Sequence, residues 1–314
     1  MKRKILFVWV CLTCFHHTNA QEAGGLVLNK YRHYLLNIIP TDVKNIGYST
    51  RRLNAYYTGA AMNVRRSSDN AQGDVAFYGP TGVVSANSIV TITVKGSSSY
   101  AVGQTVTFSS FYSGTNVYVT KWYDQSGNAD HAAQATTSAQ PQIVKSGSLI
   151  TENGIPSVEF SGSHTSVYLS LGTSLSLANG SLFGVYKVVS TSSTAGFAEN
   201  GTYSYNLNTY NNTGYIGVTY YTISDNPSTL AYNTTTLDLV AWRKSSGNSY
   251  VDVSNRTASS TAGVNIPIAV SQVYGNSLSG TVVHISEFII TGYYTTTMQR
   301  GYVFNNQQSF FGTP

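Results

Sequence analysis

Apolar and polar residues alternate along much of this chain. From Ser88 to Val94 (Ser-Ile-Val-Thr-Ile-Thr-Val) the period is two, the spacing of a strand with one buried face. Parts of Val117–Trp122, Val158–Phe160, Leu182–Val188, Leu237–Trp242 and Val282–Ile290 follow the same rule. Clusters of Gly, Ser and Asn at Ser97–Ser99, Ser109–Asn116 and Ser245–Ser249 separate these runs and predict turns. Many short strands at regular spacing predict an all-β fold, a β-sandwich or jelly roll. Two helices are predicted. Ser49–Tyr57 opens on hydroxyl caps and sets Leu53, Tyr56 and Tyr57 on one side. Thr297–Phe310 is the second, with Met298, Tyr302 and Gln308 at near-helical spacing. Trp122 and Trp242 lie inside apolar alternation and are predicted core.

The first residues follow another pattern. Lys2, Arg3 and Lys4 precede an apolar run from Ile5 to Phe15, and Thr18-Asn19-Ala20 ends it with small residues. That is the form of a secretory signal peptide, and the run is too short to span a membrane. Residues 1–20 are therefore expected to be removed, which makes the product secreted, periplasmic or cell-surface. Cleavage after Ala20 leaves 294 of the 314 residues and takes away Cys11, Cys14 and three of the 18 Lys and Arg. Residues 21–46 read as an irregular lead-in, and 47–314 as one sandwich domain.

Composition narrows the function. Without cysteine the mature chain has no disulfide framework, thiolate nucleophile or Cys-ligated zinc. The remaining 15 Lys and Arg face 13 Asp and Glu without a dense basic run, so nucleic acid is not an expected partner. Charged residues are 10% of the chain, against a usual quarter or so. Tyr and Gly are abundant (24 and 28), which suits pleated, half-buried surfaces.

Specific strings then add a resemblance. Arg51-Arg52-Leu53 is followed by Ala55-Tyr56-Tyr57-Thr58-Gly59-Ala60-Ala61 and Val64-Arg65-Arg66-Ser67-Ser68-Asp69-Asn70. Val119-Thr120-Lys121-Trp122-Tyr123-Asp124-Gln125-Ser126-Gly127-Asn128, Asp130-His131-Ala132-Ala133-Gln134, Gln140-Pro141-Gln142-Ile143-Val144 and Asn153-Gly154-Ile155-Pro156-Ser157-Val158-Glu159-Phe160 come next. In that order and spacing, from about Tyr48 to Phe160, the chain resembles the catalytic domain of arabinofuranosidase B-type glycoside hydrolases, in their bacterial and phage forms. From Leu182 to Phe311 the similarity is one of element order.

The resemblance implies a concanavalin A-like β-sandwich and retaining hydrolysis of terminal α-L-arabinofuranosyl groups. In that family a strand glutamate near a vicinal cysteine disulfide is the nucleophile, and an aspartate in a Gly-Asp-Asn loop is the acid. Here Thr194–Val218 contains no cysteine and one carboxylate, Glu199. The comparable loop reads Tyr274-Gly275-Asn276-Ser277, and an amide cannot protonate a leaving oxygen as a carboxylic acid does. The resemblance thus implies a carbohydrate-binding protein from which the catalytic residues are lost. One alternative is a hydrolase with relocated carboxylates, Glu199 and Glu287 being the candidate pair, which must lie about 5 Å apart. Another is a structural surface or virion component.

Candidate binding residues are aromatic and amide. Tyr203, Tyr205, Tyr210 and Tyr215 crowd one short region together with Asn212, and Asn276 occupies the loop just described. Sugars present apolar C–H faces to such rings and hydroxyls to such amides. The Arg65–Asn70 string reads as an ion-paired Asx turn between strands. Asp124, Ser126, Asn128 and Asp130 alternate like the opening of a calcium loop. Alanines at 129 and 135 replace the glycine and glutamate of the EF-hand version. An Asx turn accounts for that string as well, so no cofactor is expected and calcium is the minor alternative. His33, His131, His164 and His284 show no zinc spacing.

Overall fold

The structure, a computed structural model, describes residues 34–313 except 43, 80, 162–165, 191–195, 200–204, 211–214, 221–222, 232–235, 246–247, 255, 261–267 and 275–281. The fold is an all-β sandwich. A continuous antiparallel ladder of 21 strands turns back on itself to make two layers. In the first layer, Val282–Thr291 is central. Ile46–Ser49 and Val158–Ser161 share one of its edges, and Gly180–Ser190 lies on the other, followed by Asp238–Ser245, Asn248–Val253 and Arg256–Ser260.

The second layer runs from Thr105–Thr107 through Ile89–Val94, Gln72–Val75 and Met62–Arg66 to Val117–Trp122. It continues through Ala132–Ala133, Tyr168–Leu177, Ile268–Tyr274 and Gly196–Glu199 to Tyr205–Tyr210, Tyr215–Tyr220 and Ile223–Ala231. Gln142–Lys145 joins the layers, pairing with Val117–Trp122 on one side and Val158–Ser161 on the other.

The first layer is buried on both faces. Along Asp238–Ser245, Val240 and Trp242 enter the core between the layers, while Leu239 and Ala241 enter a second core. Leu182 and Phe183 divide in the same way. Hence Leu182–Val188 and Leu237–Trp242 carry apolar residues at consecutive positions, as strands covered on both sides do. The cover is the helix Thr297–Phe311 together with Leu35, Leu36 and Ile39 of the lead-in.

That helix forms because Thr296 and Gln299 cap its start reciprocally, and Gly312, left-handed at φ 65, ends it. Its buried face is Arg300, Val303, Phe304, Gln307, Phe310 and Phe311. Met298 and Tyr302, the residues that mark it in the sequence, are exposed. Each fully buried Phe contributes on the order of 1.5–3 kcal/mol.

Two sequence expectations need correction. Ser49–Tyr57 is not helical, because its backbone N–H groups go to distant acceptors. Thr50 donates to Ser286 O (3.1 Å), Arg52 to Gly82 O (2.7 Å) and Leu53 to Gln125 Oε1 (2.7 Å). Within Ser109–Asn116, a short helix over Phe108–Tyr112 precedes the turn, buries Phe108 and Phe111, and is capped by Thr107. Among the described residues no helix is long and apolar enough to cross a membrane.

Candidate functional site

The helix covers the outer face of the first layer, and the second layer keeps its outer face open. On Met62–Arg66, Met62 and Val64 point into the core, which turns Asn63 outward. On Gln72–Val75, Val75 enters the core and Asp74 turns outward. Cross-strand partners share a face, and the register carries this one across the layer. The partners run Thr105, Thr91, Asp74, Asn63, Lys121, Ala133, Ser170 and Gln272, and then positions 199, 206 and 219. From Thr105 to Gln272 this row is polar except at Ala133, carrying hydroxyl, amide, carboxylate and ammonium groups across the open face.

At its first half the row is tightly hydrogen-bonded. Asp74 Oδ1 accepts from Asn63 Nδ2 and from the Tyr123 hydroxyl, each at 2.8 Å. Asn63 Nδ2 also donates to Thr93 Oγ1 at 3.1 Å. A bulge between Asn63 and Val64 brings in Thr120, which donates to Asn63 Oδ1 at 2.5 Å. His131 stands edge-on to the Tyr123 ring at 4.9 Å, and Lys121 Nζ lies 5.5 Å from that ring's centre.

Burial sets the protonation of these groups. It pushes the Tyr123 hydroxyl well above its ordinary value, with the bond to Asp74 adding to the rise. It takes Tyr57 up to about 12, helped by the charges of Asp124 and Asp74. It lowers His131, and the nearby Lys121 adds to that against the pull of Asp124 and Asp130. His131 Nδ1 accepts the backbone N–H of Asp124 (3.1 Å), which assigns the neutral ring's proton to Nε2. Tyr123 and His131 are thus held toward their neutral forms, as hydrogen-bonding groups beside the Asp74 carboxylate and the Lys121 ammonium.

Farther along the row, Gln272 Oε1 is buried and, among the described residues, receives no hydrogen bond. A buried acceptor left unpaired costs about 1–3 kcal/mol.

The candidate catalytic pair is not assembled. Glu287 is fully buried in the first layer beneath the helix. Arg51 Nε donates to its Oε2 (2.7 Å) and Arg51 Nη2 to its Oε1 (3.0 Å). Ser49 Oγ and Gln307 Nε2 complete its partners at 2.9 and 3.0 Å. Position 199 lies in the other layer, between Gln272 and Asn206. Its side chain is outside the described residues. Asp74 shares the row with position 199 at six strand steps, about 29 Å along the sheet. A retaining pair needs about 5 Å.

The aromatic candidates are placed in backbone only. Tyr205 pairs with Tyr220 and Tyr210 with Tyr215 in an antiparallel hairpin. Leu207 of the same strand is buried in the core, so positions 206, 208 and 210 alternate onto the opposite face. The side chains of Tyr205, Tyr210 and Tyr215 are outside the described residues, as are Tyr203, Asn212 and Asn276 altogether.

Both polar strings are turns. Arg66 Nε binds Asp69 at 2.9 Å, Asp69 Oδ1 accepts the N–H of Ala71, and Asn70 is left-handed at φ 59. Asp124 Oδ1 accepts from the N–H groups of Gly47 and Ser126 (both 2.9 Å), and its Oδ2 accepts from Ser126 Oγ at 2.6 Å. Gln125 beside it ties the Ser49–Leu53 backbone in place, and Tyr48 donates to Asp130 O. Among the described residues no group of three or more His, Cys, Asp or Glu side chains is arranged to hold a metal ion.

No protein-family model matches the chain, and no curated protein does. Solved structures do. An arabinofuranosidase complexed with arabinofuranosyl-α-1,2-xylobiose matches with TM-score 0.56 and 16% identity over 85% of this chain. A GH54 α-L-arabinofuranosidase soaked with a cyclic sulfate inhibitor matches with the same TM-score and identity. The likeness is one of fold. This chain spans 62% of the length of each of those chains. Sequence reading missed Asn63, Asp74, Ser170 and Gln272, since only the register joins them.

Proposed function

We propose that this is a secreted carbohydrate-interacting β-sandwich that binds arabinofuranosyl-type or related glycans across the open face of its second layer, without a hydrolytic carboxylate pair. The observation that carries the reading is Gln272. Its carbonyl, without a hydrogen-bond partner among the described residues, sits within a row of polar side chains, and a sugar hydroxyl is the donor it lacks. The Asp74, Asn63, Thr120 and Tyr123 cluster offers further partners to a chain of hydroxyls along the same row. Positions 210 and 215, paired with each other on that face, would extend the surface with tyrosine rings, whereas position 205 falls on the core side with Leu207. The fold shared with arabinofuranosidases supports the choice of ligand, and the burial of Glu287 supports binding over hydrolysis.

The test is product release from an aryl α-L-arabinofuranoside, alongside retention on immobilised arabinan, for wild type, Glu199→Gln and Glu287→Gln. The reading expects retention without release. Release that disappears in Glu199→Gln while the fold persists would establish a hydrolase instead.

A further inference from the structure

A cleft with both polar and apolar lining lies away from the strand row, where the lead-in meets two loops. It is a cleft of about 520 Å³, within the range of small-molecule sites. Asn37 and Asp42 come from the lead-in, Asn54 and Tyr56 from the loop after the first strand, and Ser126 and Asn128 from the Asp124 turn. Leu36 and Ile39 supply the apolar part of its wall.

The amides are held in place by the backbone. Asn37 Oδ1 accepts the N–H of Ala55 (2.8 Å), and its Nδ2 reaches Asn54 Oδ1 at 3.3 Å. Asn54 Oδ1 also accepts the N–H of Tyr56 (2.9 Å), and its Nδ2 donates to Gln125 O at 3.3 Å. Asn128 Nδ2 donates to the carbonyls of Asp42 (3.0 Å) and Asn45 (2.9 Å), and Asp42 Oδ1 accepts from Lys44 N at 2.8 Å. Among the described residues, Asn128 Oδ1 and Asp42 Oδ2 receive no donor. These oxygens are therefore fixed acceptors with open valences, the arrangement that affinity without ordering cost requires. Tyr56 stands at the cleft 85% exposed, a rigid ring with no packing role to account for it.

We infer that this cleft is a second binding site, for a neutral sugar unit bearing a vicinal diol. Two hydroxyls donate to Asp42 Oδ2 and Asn128 Oδ1, and the C–H face of the ring lies on Tyr56. Asp42 is the one charged side chain lining the cleft, so it repels anionic sugars and phosphates. The site shares no residue with the row on the open face, and each is tested separately.

The experiment follows the side-chain amide signals of Asn37, Asn54 and Asn128 in the full chain during titration. The probes are methyl α-L-arabinofuranoside, methyl β-D-xylopyranoside and sodium glucuronate. At least one neutral probe is expected to shift these signals saturably, while glucuronate does not. Tyr56→Ala and Asp42→Asn are each expected to weaken the effect roughly tenfold. Gln272→Leu, on the open face, is expected to leave it unchanged. No shift with either neutral probe overturns the inference, as does equal affinity in Tyr56→Ala. Shifts confined to the open face overturn it while leaving the glycan reading intact.

Discussion

Arg51 and Glu287 form a two-pronged ion pair, 2.7 and 3.0 Å long, and neither side chain is more than 5% exposed. Arg51 also lies over the rings of Phe310 and Phe311, at 4.5 and 5.2 Å. The pair therefore pins the first strand, the central strand and the C-terminal helix together. Removing one partner of a buried pair leaves a charge without compensation. Glu287→Ala is expected to lose about 3–5 kcal/mol of stability, measured by urea denaturation. Any loss of glycan interaction in that variant should track loss of fold.

Gln125 is a second tie. Its amide donates to Ser49 O (3.3 Å) and Arg51 O (3.0 Å) and accepts from Leu53 N (2.7 Å), all buried. Gln125→Ala orphans these backbone groups and is expected to cost about 2–4 kcal/mol, read as a lowered urea midpoint with unchanged slope.

His284 stands between two carboxylates, Nδ1 at 2.7 Å from Glu152 and Nε2 at 3.1 Å from Glu159. Lys187 and Lys145 flank them, each at 2.9 Å. The bond with His284 first, and Lys145 after it, hold the Glu159 carboxyl below its ordinary value against the opposite push of burial. A carboxylate with a lowered folded pKa stabilises the fold fully above its unfolded value, here 4.5. That contribution is lost as the pH falls through the lower folded value. Stability measured from pH 6 down to pH 2 should therefore fall less steeply below about pH 4.5 in Glu159→Gln than in wild type.

Gly96 is left-handed at φ 57, and a Cβ there would meet Asp69 O at 2.2 Å and Asn70 C at 2.6 Å. These atoms belong to the turn that Arg66 and Asp69 close. Gly96→Ala is expected to destabilise by about 1–3 kcal/mol, seen as a lower Tm.

Much of this architecture is legible residue by residue. Val117–Trp122 and Val158–Phe160 alternate because one side of each strand meets the core, and Trp122 and Trp242 are buried where the alternation puts them. Ser49–Tyr57 has helical spacing, yet Gln125 and the backbone around Gly82 and Ser286 take its N–H groups first. Such long-range competition leaves no local trace. The open-face row is invisible for the same reason. Asn63, Asp74, Ser170 and Gln272 are unremarkable polar residues in their own strands, and register alone sets them side by side. Glu287 illustrates the converse. A carboxylate on an apolar strand attracts a catalytic reading, but its four hydrogen bonds to Arg51, Ser49 and Gln307 are those of a structural ion pair.

On the proposed function, glycan engages the open face through Gln272. Calorimetric titration of wild type and Gln272→Leu with a linear arabino-oligosaccharide tests it most directly, with Tm recorded for both. Roughly tenfold weaker binding is expected in the variant at equal or higher Tm, because leucine removes the unpaired acceptor while filling its space. Equal affinity in the two proteins would contradict it.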